Sequence, residues 1–201
     1  MTSRRLAGWW GIAFVVLLFV SAAMASLPTS ADSDAAISAF YRDHAAVVVL
    51  QQVVGALALA PFVLFALSLQ PNRWLRPAVF LFVAVELVTN VIPLLIVVLP
   101  GAARPLTLVE DVADAALFLA VALFVAVATL RQPLWLRLAA YLVAALCVIR
   151  ALASPLHADF LDLVAPLVFI AFVLLMSIRA IATPSGVIGA SAGSDSGPGG
   201  L

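Results

Sequence analysis

Apolar residues run almost without interruption along most of this chain, and polar residues gather in short clusters between the runs. A helix needs about 20 apolar residues to cross a bilayer's hydrocarbon core. Six runs meet that length: 6–27, 45–69, 78–99, 107–130, 134–153 and 159–182. Tight turns are predicted over 70–77 (QPNRWLRP), 100–104, 131–133 and 154–157. The longest connection, 28–43, opens with Pro, Ser, Asp and Thr and then places Ile37, Phe40 and Tyr41 at helical spacing. That spacing predicts a short interfacial helix capped near Ser33. The expected fold class is therefore all-α: a polytopic membrane bundle of six transmembrane helices within residues 1–182. The Gly/Ser-rich tail, 183–201, is expected to be a disordered cytoplasmic segment.

Two readings compete for the first run. Arg4 and Arg5, an apolar core and Ala23-Met24-Ala25 before Ser26 suit a cleaved secretory signal over residues 1–25. The core is longer than the roughly 7–15 residues such signals use, which favours an uncleaved first span. Orientation follows from the arginines. Arg4, Arg5, Arg73, Arg76, Arg131, Arg137 and Arg179 fall at one end of the six-span layout, against Arg42, Arg104 and Arg150 at or toward the other. The positive-inside rule then puts both termini in the cytoplasm. Trp9, Trp10, Trp74 and Trp135 share the arginine-rich end, as an aromatic belt would. Trp74-Leu75-Arg76 recurs as Trp135-Leu136-Arg137, through either a duplicated hairpin or shared interfacial anchoring.

Composition narrows the chemistry. With 66% hydrophobic residues and 10% charged, the chain lies well outside the soluble range of roughly 45–50% apolar. A formal net charge of zero and the lack of a basic cluster argue against nucleic acid as a partner. All ten basic residues are arginine, so lysine Schiff-base chemistry is excluded. The single cysteine, Cys147, allows no intrachain disulfide. Two histidines, His44 and His157, are too few for a three-histidine zinc site and are expected to be solvated near connections. No cofactor or metal is implied, and no catalytic residue is assigned.

The candidate binding residues are those left inside the membrane: Glu86, Asn90, Arg150, Asp114, Asp162 and Gln51. Glu86 lies roughly 15 Å from Arg76 along its helix, near mid-membrane, with Asn90 and Pro93 on the same side. Ionisable groups at that depth usually face protein or water. Together these residues predict an outward-opening polar pocket floored by Glu86. A packing account competes with it. Asp43, Glu110, Asp111 and Asp159 would stabilise the outer N-termini of helices, and Glu86 would pair with Arg150. Pro93 is expected to free the Thr89 carbonyl and kink the third span, a feature carriers use.

Three functions remain on this basis. The leading one is a binding or structural membrane component, and the alternative is a proton- or cation-linked carrier of a small solute. The third is a Mg-dependent transferase on a lipid diphosphate, drawn from Glu110-Asp111-Val112-Ala113-Asp114 and Asp159-Phe160-Leu161-Asp162. Those clusters resemble the aspartate-rich motifs of membrane prenyltransferases in outline. The Phe40-Tyr41-Arg42-Asp43-His44 entry to the second span and the Arg/Trp-flanked turns resemble an uncharacterised class of six-helix bacterial integral membrane proteins, of the domain-of-unknown-function kind. That resemblance implies the layout but no activity. The expected partners are the lipid bilayer and, in the binding readings, a small solute or cation; a homo-oligomer stays open.

Overall fold

The computed structural model describes residues 3–154 and 159–182, with the side chains of 3, 4 and 159 left aside. The described residues form seven α-helices and one short 3-10 turn. They are α1 (Ser3–Ala22), α2 (Asp34–Asp43), α3 (Ala45–Leu67), α4 (Leu75–Val98), α5 (Ala103–Ala128), α6 (Leu134–Ala153) and α7 (Asp159–Ala182). All but α2 give spans long and apolar enough to cross a membrane, so this is a multi-pass membrane protein of six such helices. The expected tail, 183–201, and His157 lie outside the described residues.

Each spanning helix packs against the next along the chain, and α7 closes back on α1. The result is a ring of six helices with α2 set against α3, α4 and α5 at one end. Outward faces carry exposed Phe80, Val98, Leu142 and Phe160, side chains that lipid solvates well and water does not. The ring's interior is filled by phenylalanine. Phe14, Phe62, Phe82, Phe124 and Phe169 come one each from α1, α3, α4, α5 and α7, with ring centroids 4.3–6.4 Å apart. Lipid gives helices no hydrophobic reason to associate, so such close packing is what holds the ring together.

The α1 contacts show how close the backbones come. A Cβ on Gly8 would lie 2.5 Å from the Ser177 carbonyl oxygen, and one on Gly11 would strike Ser177 Oγ. Only glycine admits α7 at that distance. The first helix is thus wedged between α3 and α7.

The two Trp-Leu-Arg triplets behave alike. Leu75 and Leu136 are buried while Trp74 and Trp135 are exposed. Arg73 stacks on Trp74 at 5.0 Å and Arg179 on Trp135 at 4.9 Å. That likeness is what interfacial anchoring requires, and a duplicated hairpin would show it too.

Several boundaries move. The first helix stops at Ala22 rather than running to 27. The fifth begins at Ala103 rather than 107, taking in Arg104 and Pro105. Proline in a first turn loses no hydrogen bond, because the amide it lacks would have had no partner there. Pro61, Pro93 and Pro166 all lie inside helices that continue through them, so the expected kink at Pro93 does not break α4.

Candidate functional site

Residues 23–44 form a strap that leaves α1, crosses the end of the ring and feeds α3. Its helix is capped as expected, with the Ala36 amide donating to Ser33 Oγ at 3.3 Å. Ile37 and Tyr41 turn inward and are fully buried. Four contacts tie the strap to α5. The Ser30 amide donates to Asp111 Oδ2 at 3.1 Å, and Tyr41 Oη donates to Glu110 Oε2 at 3.2 Å. Arg104 Nη1 donates to the Asp32 carbonyl at 2.7 Å and its Nε lies 3.5 Å from Asp34.

Beneath the strap is a cavity of about 260 Å³. Glu110, Asp111 and Asp114 of α5, Arg150 of α6 and Asp162 of α7 line it, with Thr89 of α4 completing the wall. Arg150 joins two of the acids. Its Nη2 donates to Asp114 Oδ2 at 2.6 Å and its Nε faces Asp162 Oδ1 at 2.5 Å. Its Cζ sits 4.9 Å from the Phe118 ring centre, and its side chain is only 12% exposed. Arg150 Nη1 is buried and has no hydrogen-bond partner among the described residues. Glu110 and Asp111 have no ion-pair partner among them either.

No family model, curated protein or solved structure matches the chain. Of the six candidates, the fold brings Asp114, Arg150 and Asp162 into one cluster. Glu86 and Asn90 form a separate pair on α4, where Asn90 Nδ2 donates to the Glu86 carbonyl at 2.7 Å and to Oε1 at 3.2 Å. Arg150 is taken by the two aspartates, so the Glu86–Arg150 pair of the packing account does not form. Thr89, not Glu86, is the α4 residue that reaches the cavity wall.

Gln51 stands apart on α3. Its Nε2 donates to the Ala25 carbonyl at 3.1 Å, its main-chain carbonyl accepts from Ser21 Oγ, and its Oε1 is buried without a partner among the described residues. One turn along α3, Gly55 leaves room for Asn90, whose Oδ1 would lie 2.6 Å from an added Cβ.

The expected capping roles change as well. With α5 starting at Ala103, Glu110 and Asp111 lie about two turns into the helix, beyond the reach of its free amides. Asp43 ends α2 and pairs with the adjacent Arg42 at 3.1 Å, and His44 caps α3 without a side-chain bond. Among the described residues no three His, Cys, Asp or Glu side chains group as a metal site. The side chain of Asp159, half of the second acidic motif, is among those left aside.

Tyr41, Ser30 and Thr89 were not among the six candidate binding residues read from sequence. Tyr41 offered one signal: it falls on the inner stripe of the strap helix with Ile37. Burial and then the nearby Glu110 carboxylate push its phenol above the ordinary value of 10.0. The folded state therefore keeps a proton that the unfolded chain releases, and stability falls as pH rises past the ordinary tyrosine range. In a Tyr141→Phe variant, which leaves one tyrosine, the phenolate absorbance is expected to appear only as the protein unfolds. Reversible titration of Tyr41 in the folded protein at its ordinary value would contradict the burial.

Proposed function

We propose that this protein is a multi-pass binding component of a bacterial plasma membrane whose strap-covered cavity takes up a small cationic solute. The supporting observation is the charge of the wall. Four carboxylates (Glu110, Asp111, Asp114, Asp162) line it against one guanidinium, an excess of three negative charges when all are ionised. A cavity near 260 Å³ lies just below the range of ligand pockets, about 300–1,000 Å³, and suits a small amine or quaternary ammonium. Hydroxyls of Thr29, Thr89 and Ser154 add neutral acceptors for orientation. The positive-inside rule supports a cavity that faces away from the cytoplasm, with both termini within.

Calorimetric titration tests this. Choline chloride or ethanolamine hydrochloride is added to the purified full-length protein in neutral detergent, against sodium chloride of equal ionic strength. Saturable heat is expected for at least one of the two probes. Asp111→Asn is expected to weaken it about fivefold, the effect of removing one partly solvated charge of roughly 1 kcal/mol. Heats no larger than sodium chloride gives, for both probes, would sink the reading.

One observation favours a second reading, a proton- or cation-linked carrier. Three of the six spanning helices hold an internal proline, and Glu86 lies part-way along one of them. On that reading the same probes enter proteoliposomes with a pH dependence that Glu86→Gln abolishes while folding and binding persist. On the binding reading there is no uptake to abolish.

A further inference from the structure

The roof of the strap-covered cavity is held more loosely than the rest of the strap. Leu27, Pro28 and Thr29 form that roof. On the α1 side, Gln51 Nε2 fixes the Ala25 carbonyl at 3.1 Å, and Leu27 packs against the apolar cluster that holds Ile37 and Tyr41. On the far side, Ser33 caps α2, and those two buried residues pin the helix. Between these anchors none of residues 28–32 is buried. We propose that 28–32 is a flap, hinged at Leu27 and Ser33, whose opening admits solution and solute to the cavity. The inference deepens the binding reading and rests on it for what the flap lets through.

Three features point to a moving part. The first is internal stiffness. The Thr29 amide donates to Asp32 Oδ2 at 2.9 Å, the Asp32 amide to the Thr29 carbonyl at 3.1 Å, and the Ala31 amide to Thr29 Oγ1 at 3.3 Å. Bonds inside a turn travel with it and are kept when it swings. The second is a slight hold on the ring. Among the described residues, two hydrogen bonds join the flap to α5: the Ser30 amide to Asp111 Oδ2 at 3.1 Å, and Arg104 Nη1 to the Asp32 carbonyl at 2.7 Å. A segment with few buried apolar contacts and exposed hydrogen bonds opens more readily than the body it is attached to. Opening α2 instead would pull Ile37 and Tyr41 out of an apolar cluster with Val48, Ile92 and Ile96. The third is a shared acceptor. Asp111 lines the cavity, so release of the Ser30 amide frees a carboxylate oxygen for an entering cation.

Hydrogen exchange on the full-length protein in neutral detergent tests this, read amide by amide by mass spectrometry and corrected for intrinsic rates. The Ser30 amide is expected to exchange at least about tenfold faster than that of Tyr41. Arg104→Gln removes one of the two bonds and does not alter the cavity lining. It is expected to speed Ser30 exchange about tenfold and leave Tyr41 unchanged. Asp34→Asn, which removes only the ion pair from Arg104 to α2, is expected to change neither. Access to the cavity is read with Thr89→Cys and N-ethylmaleimide, an uncharged reagent whose approach does not depend on the Arg104 charge. Labelling is expected to rise about tenfold when Arg104→Gln is added, above the background from the buried Cys147.

Exchange of Ser30 in step with Tyr41 overturns the flap, because the strap would then open as one body with α2. Faster Ser30 exchange in Arg104→Gln with no faster labelling at Thr89→Cys overturns it as an entrance, since the cavity would be reached another way. Should Arg104→Gln not fold, the ratio of Ser30 to Tyr41 exchange in the wild type decides. None of these measurements uses choline or ethanolamine. Absent binding heats would therefore sink the solute reading and leave the flap standing.

Discussion

Replacing Arg150 with leucine is expected to destabilise the protein by about 3 kcal/mol, seen as a fall of roughly 10 °C in the unfolding midpoint in detergent. Arg150 reaches Asp114 and Asp162 at once, and its own side chain is 12% exposed. Without it two carboxylates meet across a low-dielectric wall with nothing between them. Their exposure, 38% and 49%, lets water relieve part of that strain, which keeps the figure at the lower end for a broken buried pair.

Asp114→Asn leaves Arg150 one ionic partner and should cost about 1–2 kcal/mol. The triple variant Arg150→Leu, Asp114→Asn, Asp162→Asn is expected to recover more than half of the single-variant loss, because no unpaired charge remains. A loss under about 1 kcal/mol for Arg150→Leu alone would mean that the triad behaves as a solvated surface pair. The cluster would then be incidental to the fold.

Adding one methyl group at Gly8 is the second change with a large expected effect. The atom it would strike is backbone, the Ser177 carbonyl oxygen, so no rotamer can give way. Gly11→Ala meets Ser177 Oγ, which is buried and donates to the Val173 carbonyl at 2.7 Å, and the Phe65 ring at 2.8 Å. Each substitution is expected to cost about 2–3 kcal/mol by forcing helices apart, and the pair to loosen α1 from the ring. Detergent unfolding measures the first effect, and protease access to the α1–α2 connection the second. Wild-type stability in the Gly8→Ala, Gly11→Ala variant would show that α1 is not held between α3 and α7. That is the outcome expected if residues 1–25 leave as a signal peptide.

The candidate site was legible in parts, and the parts differ physically. Asp114, Arg150 and Asp162 stand out in sequence because charge in an apolar run is rare at any position. Their meeting could not be read, since it depends on how α5, α6 and α7 are rotated about their axes. Glu86 drew attention for the same reason as Arg150 and met a different fate. Asn90, one turn along its own helix, satisfies it, so the most conspicuous residue of the sequence is not in the cavity wall.

Glu110 and Asp111 were misread through a boundary. Counting the helix from Thr107 puts them in its first turn, and counting from Ala103 puts them beyond it. Proline at 105 looks like a stop and is in fact compatible with a start.

The chain's own order of residues determined that there are six spanning helices, where the strap helix is capped, and which end holds the arginines. Those properties follow from the partition of each segment between water and lipid, which is local and nearly additive. Only the folded ring decided that five phenylalanines close its centre, that Arg150 joins two aspartates, and that Gly8 and Gly11 admit α7. Such contacts pair residues tens to more than a hundred positions apart, and their energies depend on ångström-scale approach that no local pattern encodes.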